Sequence, residues 1–106
     1  PSVAQQALSG PGACNVLAFY TALTSTGSDD AFTLAAGTEL GQLKKIQLIV
    51  DGGDGILTIA DAISASLNVI TFADAGDYAL LIWMGTAWRV IELGNDADGA
   101  SAPAIA

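Results

Sequence analysis

The stretch Asp77-Tyr-Ala-Leu-Leu-Ile-Trp-Met-Gly-Thr-Ala-Trp-Arg-Val-Ile-Glu-Leu93 constrains this chain more than any other. It predicts two strands that turn at Met84-Gly85-Thr86, where glycine supplies the positive φ of a tight hairpin loop. The first strand is apolar on both faces, with Tyr78, Leu80, Ile82 and Met84 on one and Leu81 and Trp83 on the other. The return strand alternates: Trp88 and Val90 share a face, and Ala87, Arg89 and Ile91 make the other. A strand with two apolar faces needs cover on both. A chain of 106 residues can build one core and has little left for a second face. Other copies of the chain are therefore expected to complete the packing.

Composition points the same way. Charged residues make up 13% of the chain and hydrophobic ones 52%, against about 25% charged in ordinary globular proteins. So few charges cannot coat the surface of a monomer. The net charge is −8, and the only basic residues are Lys44, Lys45 and Arg89. Three cations cannot neutralise a phosphate backbone, and an anionic membrane repels such a chain, so neither nucleic acid nor membrane is an expected partner. The apolar runs fall short of the roughly 20 residues of a membrane span. The amino terminus has neither a basic nor an apolar segment, and its opening Pro1 fits removal of an initiator Met, so synthesis and use without export are expected.

Taken in order, residues 1–13 read as an amino-terminal arm broken by Gly10-Pro11-Gly12, residues 14–93 as a β domain, and residues 94–106 as a flexible acidic tail. Within the domain, strands are expected at Val16–Thr24, Ala31–Ala35, Leu43–Val50, Gly55–Ala60 and Leu67–Phe72 ahead of the hairpin. Ser25–Asp30, Ala36–Gly41, Asp51–Gly55 and Ala73–Gly76 carry turn-forming residues. Asp61–Ser66 is either a capped helical turn or a loop. Short strands with a turn every eight to twelve residues predict an all-β fold of antiparallel strands. A sandwich, a small barrel and a subunit-shared β-prism all fit.

Few residues suggest chemistry. The cluster Asp51-Gly-Gly-Asp-Gly55 makes Asp51 and Asp54 weak candidates for a calcium site, since carboxylates separated by glycines can wrap that ion. A hairpin loop rich in positive-φ residues explains the same cluster. With no histidine and a single cysteine, Cys14, the chain has neither a zinc ligand set nor a nucleophile paired with a base, and no disulfide can form within it. No phosphate-cradling loop and no nucleophile elbow is present. No cofactor and no enzymatic activity are expected. The side chains singled out are apolar anchors for a core or a subunit interface: Phe32, Tyr78, Leu81, Trp83, Trp88 and Ile91.

The runs Phe32-Thr-Leu34 through Gly41-Gln-Leu-Lys-Lys-Ile46, Asp51-Gly-Gly-Asp-Gly-Ile-Leu-Thr-Ile59, Ile70-Thr-Phe-Ala-Asp-Ala-Gly-Asp-Tyr78 and Trp88-Arg-Val-Ile91 together resemble a β-rich module of tailed-phage structural proteins. The module occurs in capsid decoration (cement) proteins and in fibre or spike domains. The likeness spans about residues 31 to 93, and the Ala-rich first third has no counterpart in it. It implies a homotrimer, with trimerisation completing the subunit. It also implies a virion location on the capsid surface after assembly in the host cytoplasm, with the major capsid protein as partner. A fibre or spike tip binding a host-surface glycan or receptor is the alternative it leaves open.

Overall fold

The computed structural model describes residues 5–97 and 102–106. Among the described residues it contains ten strands and no helix. The strands are β1 (Gln5–Ser9), β2 (Gly12–Cys14), β3 (Tyr20–Thr24), β4 (Asp30–Leu34), β5 (Leu43–Val50), β6 (Gly55–Ile59), β7 (Val69–Phe72), β8 (Asp77–Trp83), β9 (Trp88–Asn95) and β10 (Ala104–Ile105). They form two five-stranded sheets, β1-β3-β5-β8-β9 and β10-β7-β6-β4-β2. We call these sheets I and II.

The expected all-β class is observed, but the expected antiparallel pairing is only half of it. From β1 to β6 the chain alternates between sheets, and each strand pairs in parallel with the one two places earlier in the chain. Parallel neighbours need a crossover, for which most folds use a helix. Here the crossover is a strand of the opposite sheet. Each coil is therefore strand, turn, strand, turn, with both strands contributing to one core. The last four strands end this coiling. β7 folds back antiparallel on β6, β8 crosses to lie antiparallel to β5, β9 completes a hairpin with β8, and β10 returns to β7.

Period-2 alternation puts one face of every core strand inward. Leu23, Ile46, Leu48, Ala79 and Leu81 from sheet I meet Phe32, Leu34, Leu57, Ile59, Ile70 and Phe72 from sheet II, all fully or almost fully buried. Each of the larger side chains contributes about 1.5–3 kcal/mol through burial.

The turns are set by aspartates at strand starts. The Asp30 carboxylate accepts the Thr26 N–H at 2.8 Å, and that of Asp77 accepts the Ala73 N–H at 3.0 Å and the Asn95 amide at 2.9 Å. Both aspartates are buried, and both serve local backbone hydrogen bonds.

Three boundaries differ from expectation. Much of the stretch read as an amino-terminal arm is strand: β1 lies on β3 and β2 on β4 as the first coil. The stretch read as a tail contributes the end of β9 and the whole of β10. The parts of both at 1–4 and 98–101 lie outside the described residues. Finally, β3 starts only at Tyr20, because residues 15–19 form a loop over the buried side chain of Lys44.

Candidate interaction surface

The six anchor residues part company in the structure. Phe32, Leu81, Trp83 and Trp88 belong to the core of the single chain, with the two indoles only 6% and 1% exposed. Trp83 and Trp88 face each other across the β8–β9 hairpin, ring centroids 5.3 Å apart and planes inclined at 64°. This edge-on arrangement suits the ring quadrupoles. Trp88 donates its indole N–H to the Ala35 carbonyl at 2.8 Å. Gly37 lies against Trp83 so closely that a Cβ there would come 2.4 Å from the ring. Tyr78 is half-buried on the outer face of sheet I. Ile91 is 51% exposed: it lies on the Arg89 face, opposite Trp88 and Val90, and is the unpaired residue where the β8–β9 register shifts between Leu80 and Leu81.

The outer face of sheet I has two unlike ends. At one end Tyr20 donates to Gln47 Oε1 at 2.7 Å, and the Gln47 amide donates to Asp96 at 2.9 Å and to the Gly76 carbonyl at 3.0 Å. Lys45 pairs with Asp96 at 3.1 Å and lies 4.5 Å above the Tyr78 ring. Hydrogen bonds from Lys45 and Gln47 hold the Asp96 carboxyl below its ordinary pKa, and a hydrogen bond with Glu92 raises the Tyr78 phenol.

The other end is apolar and open. Leu43 stands opposite Ile82, and Leu40 reaches the hairpin tip, 3.7 Å from where a Gly85 Cβ would sit. The loop carrying Leu17 is tied to the turn carrying Leu40 by the Gln42 amide, which donates to the Val16 carbonyl. Leu17 at 71%, Leu40 at 74%, Leu43 at 44% and Met84 at 42% exposure thus converge on one rim of the molecule. Contiguous exposed apolar patches mark contact surfaces on soluble proteins. The sequence held a sign of this in Leu40, an aliphatic residue inside a turn of small and polar ones.

Beside this rim, between β9, β10 and the loop that follows β6, lies a half-open cleft of about 260 Å³. Ile63, Leu67, Trp88, Val90 and Ile105 line it together with Arg89, which is exposed. The loop is pinned there by reciprocal backbone bonds, Ile63 N–H to the Trp88 carbonyl and Trp88 N–H to the Asp61 carbonyl. The stretch Asp61–Ser66, open between helical turn and loop in the sequence, is therefore loop with one bridge to β9.

The three cations have different fates. Lys45 is engaged by Asp96, and Arg89 makes no ion pair among the described residues. Lys44 is fully buried, and its ammonium donates to the carbonyls of Asn15 at 3.0 Å and Ala18 at 2.8 Å and to the Thr21 hydroxyl. Burial pulls the Lys44 pKa down to about 8, partly opposed by the nearby Cys14 thiol. Burial pushes Cys14 up to about 11, partly opposed by Lys44.

The loop carrying Asp51 and Asp54 is built around backbone contact. Gly52 and Gly53 press against residues 25–28, where a Cβ would come within 2.2 Å of the Ser25 carbonyl and 2.4 Å of the Gly27 carbonyl. The Ser25 hydroxyl donates to the Gly53 carbonyl at 2.5 Å and accepts the Gly52 N–H at 2.9 Å. Asp51 turns its carboxylate onto the Gly53 N–H at 3.1 Å. Among the described residues no three metal-ligating side chains come together.

Over 70 residues the chain is 34% identical to erythronate-4-phosphate dehydrogenase of Marinobacter nauticus, a stretch that takes in 66% of this chain and 17% of that protein. No protein-family model matches the chain, and no solved structure matches it.

Proposed function

We propose that this chain is a non-enzymatic virion structural protein, a homotrimeric decoration protein that binds the outer surface of a phage capsid and stabilises its shell. The observation that carries this proposal is the apolar rim formed by Leu17, Leu40, Leu43 and Met84, left open by a chain whose own core is already filled. With charged residues making up 13% of the sequence, little charge is available to keep such a rim wet. Self-association covers it, and the resemblance of residues 31 to 93 to phage decoration modules supplies the setting. Three linked copies grip a capsid through many weak contacts, so avidity replaces any single tight bond. Because the matched stretch amounts to 17% of the dehydrogenase, no activity is carried over from that enzyme.

Size-exclusion chromatography with light scattering tests the assembly. A trimer at micromolar concentration is expected, and a clean monomer removes the proposal. Rebinding of the purified protein to capsids stripped of it tests the role. Failure to bind under conditions that preserve the trimer leaves self-association standing and removes the capsid.

A further inference from the structure

We infer that the cleft beside β9 is the docking slot for the Glu39-Leu40 turn of a second copy of this chain. The inference deepens the self-association proposed above and rests on it. The slot has a mostly apolar lining that includes one cation: Ile63, Leu67, Trp88, Val90 and Ile105, together with the exposed Arg89. Its volume of about 260 Å³ suits one or two aliphatic side chains. Arg89 is the cation that the chain's own acids leave unpaired among the described residues, since Lys45 is held by Asp96 and Lys44 is buried. The fitting occupant is an exposed aliphatic side chain next to an exposed carboxylate.

Among the exposed aliphatic residues, Leu40 meets that description best. It is the most exposed large apolar residue described, and Glu39 beside it is exposed and makes no ion pair among the described residues. Leu17 has no acidic neighbour in its loop. Val50 precedes Asp51, but that carboxylate is taken by the Gly53 N–H. The turn is also held ready: Thr38 N–H donates to the Gln42 side chain at 2.7 Å, Gln42 N–H to the Glu39 carbonyl at 3.0 Å, and Gly41 N–H to the Trp83 carbonyl at 2.8 Å. A preformed plug loses little entropy on docking. Plug and slot are different surfaces of one chain, so the contact is heterologous and can close into a ring.

The test is sedimentation equilibrium of the intact protein at tens of micromolar, with melting curves to show that each variant folds. Leu40→Asp, Ile63→Asp and Arg89→Glu all alter exposed side chains. Each is expected to weaken association about tenfold or more, as truncation of an interface anchor does. Glu39→Arg weakens it as well, and the double variant Glu39→Arg with Arg89→Glu regains most of the wild-type affinity. An oligomer that survives all the single variants, or a charge swap that restores nothing, overturns the slot pairing and leaves self-association through another surface. A wild-type monomer overturns both.

Discussion

The Lys44 ammonium lies 2.8 Å from the carbonyl oxygen of Ala18, with no carboxylate partner among the described residues. Its three hydrogen bonds go to neutral oxygens where the 15–19 loop crosses the start of β5; the Asn15 carbonyl also accepts the Ala18 N–H and the Thr21 hydroxyl also donates to Gln6 Oε1. Replacing the ammonium with a methyl thioether keeps the volume and removes every donor. Lys44→Met is expected to destabilise the fold by about 2 kcal/mol, the cost of the lost hydrogen bonds. Urea denaturation at neutral pH checks this: the midpoint falls while the slope holds, because the surface exposed on unfolding is unchanged.

The same lysine makes stability depend on alkaline pH. In the folded chain Lys44 gives up its proton near pH 8, whereas the unfolded chain holds it to about 10.5. Between those values the unfolded state binds more protons, so raising the pH favours folding. Cys14 acts in the opposite sense. Its thiol ionises near 9 when unfolded and near 11 when folded, so raising the pH across that span disfavours folding. Urea midpoints should therefore rise from pH 8 to 9, level off, and fall towards 11. Cys14→Ala should extend the rise to about pH 10.5, and Lys44→Met should abolish it. A wild-type midpoint that falls steadily from pH 8 to 9 contradicts the assignment.

Much of the fold was legible because burial writes itself into alternation. Leu43–Val50 and the Asp77–Leu93 hairpin are found where the pattern put them, with Lys44, Ile46 and Leu48 at alternate positions of β5 all fully buried. Pairing was not legible. A strand with one buried face shows the same period whether its neighbour runs parallel or antiparallel, so the two-sheet coiling of β1 to β6 left no mark. Edge strands hide as well: in β1 only Leu8 packs against the core, and a strand of glutamine, alanine and serine reads as an arm. Ile91 lies on the Arg89 face, where alternation put it; the phase of β9 reverses only from Glu92 on, through one inserted residue that no residue type announces. Of the surface now in question, the sequence showed the shortage of charge but not which apolar side chains remain outside.

The buried indoles provide a spectroscopic check on the single-chain core. Trp83 and Trp88 should emit at short wavelength and resist quenching by acrylamide, in oligomer and dilute monomer alike, since the chain's own residues shield both. Trp88→Phe leaves the Ala35 carbonyl without its donor and loses the edge contact with Trp83. A loss of about 2 kcal/mol is expected from the stranded acceptor and the lost contact. Strong quenching of the wild-type protein on dilution would mean that subunit contacts, and not the chain itself, enclose these rings.

The Gly52-Gly53 loop separates a packing requirement from a chemical one. At Gly52 a methyl group would overlap the Ser25 carbonyl, and at Gly53 φ is +147°, which side chains rarely adopt, with the Gly27 carbonyl in the way. Either glycine changed to alanine must push apart two stacked loops, at a cost of about 1–3 kcal/mol. Asp51→Asn keeps an oxygen facing the Gly53 N–H and should move stability by less than about 0.5 kcal/mol. If the loop serves packing alone, calcium leaves the melting temperature of wild type and Asp51→Asn unchanged while Gly52→Ala melts several degrees lower. A calcium-dependent rise that Asp51→Asn removes would instead make Asp51 a metal ligand and the glycines the frame of its site.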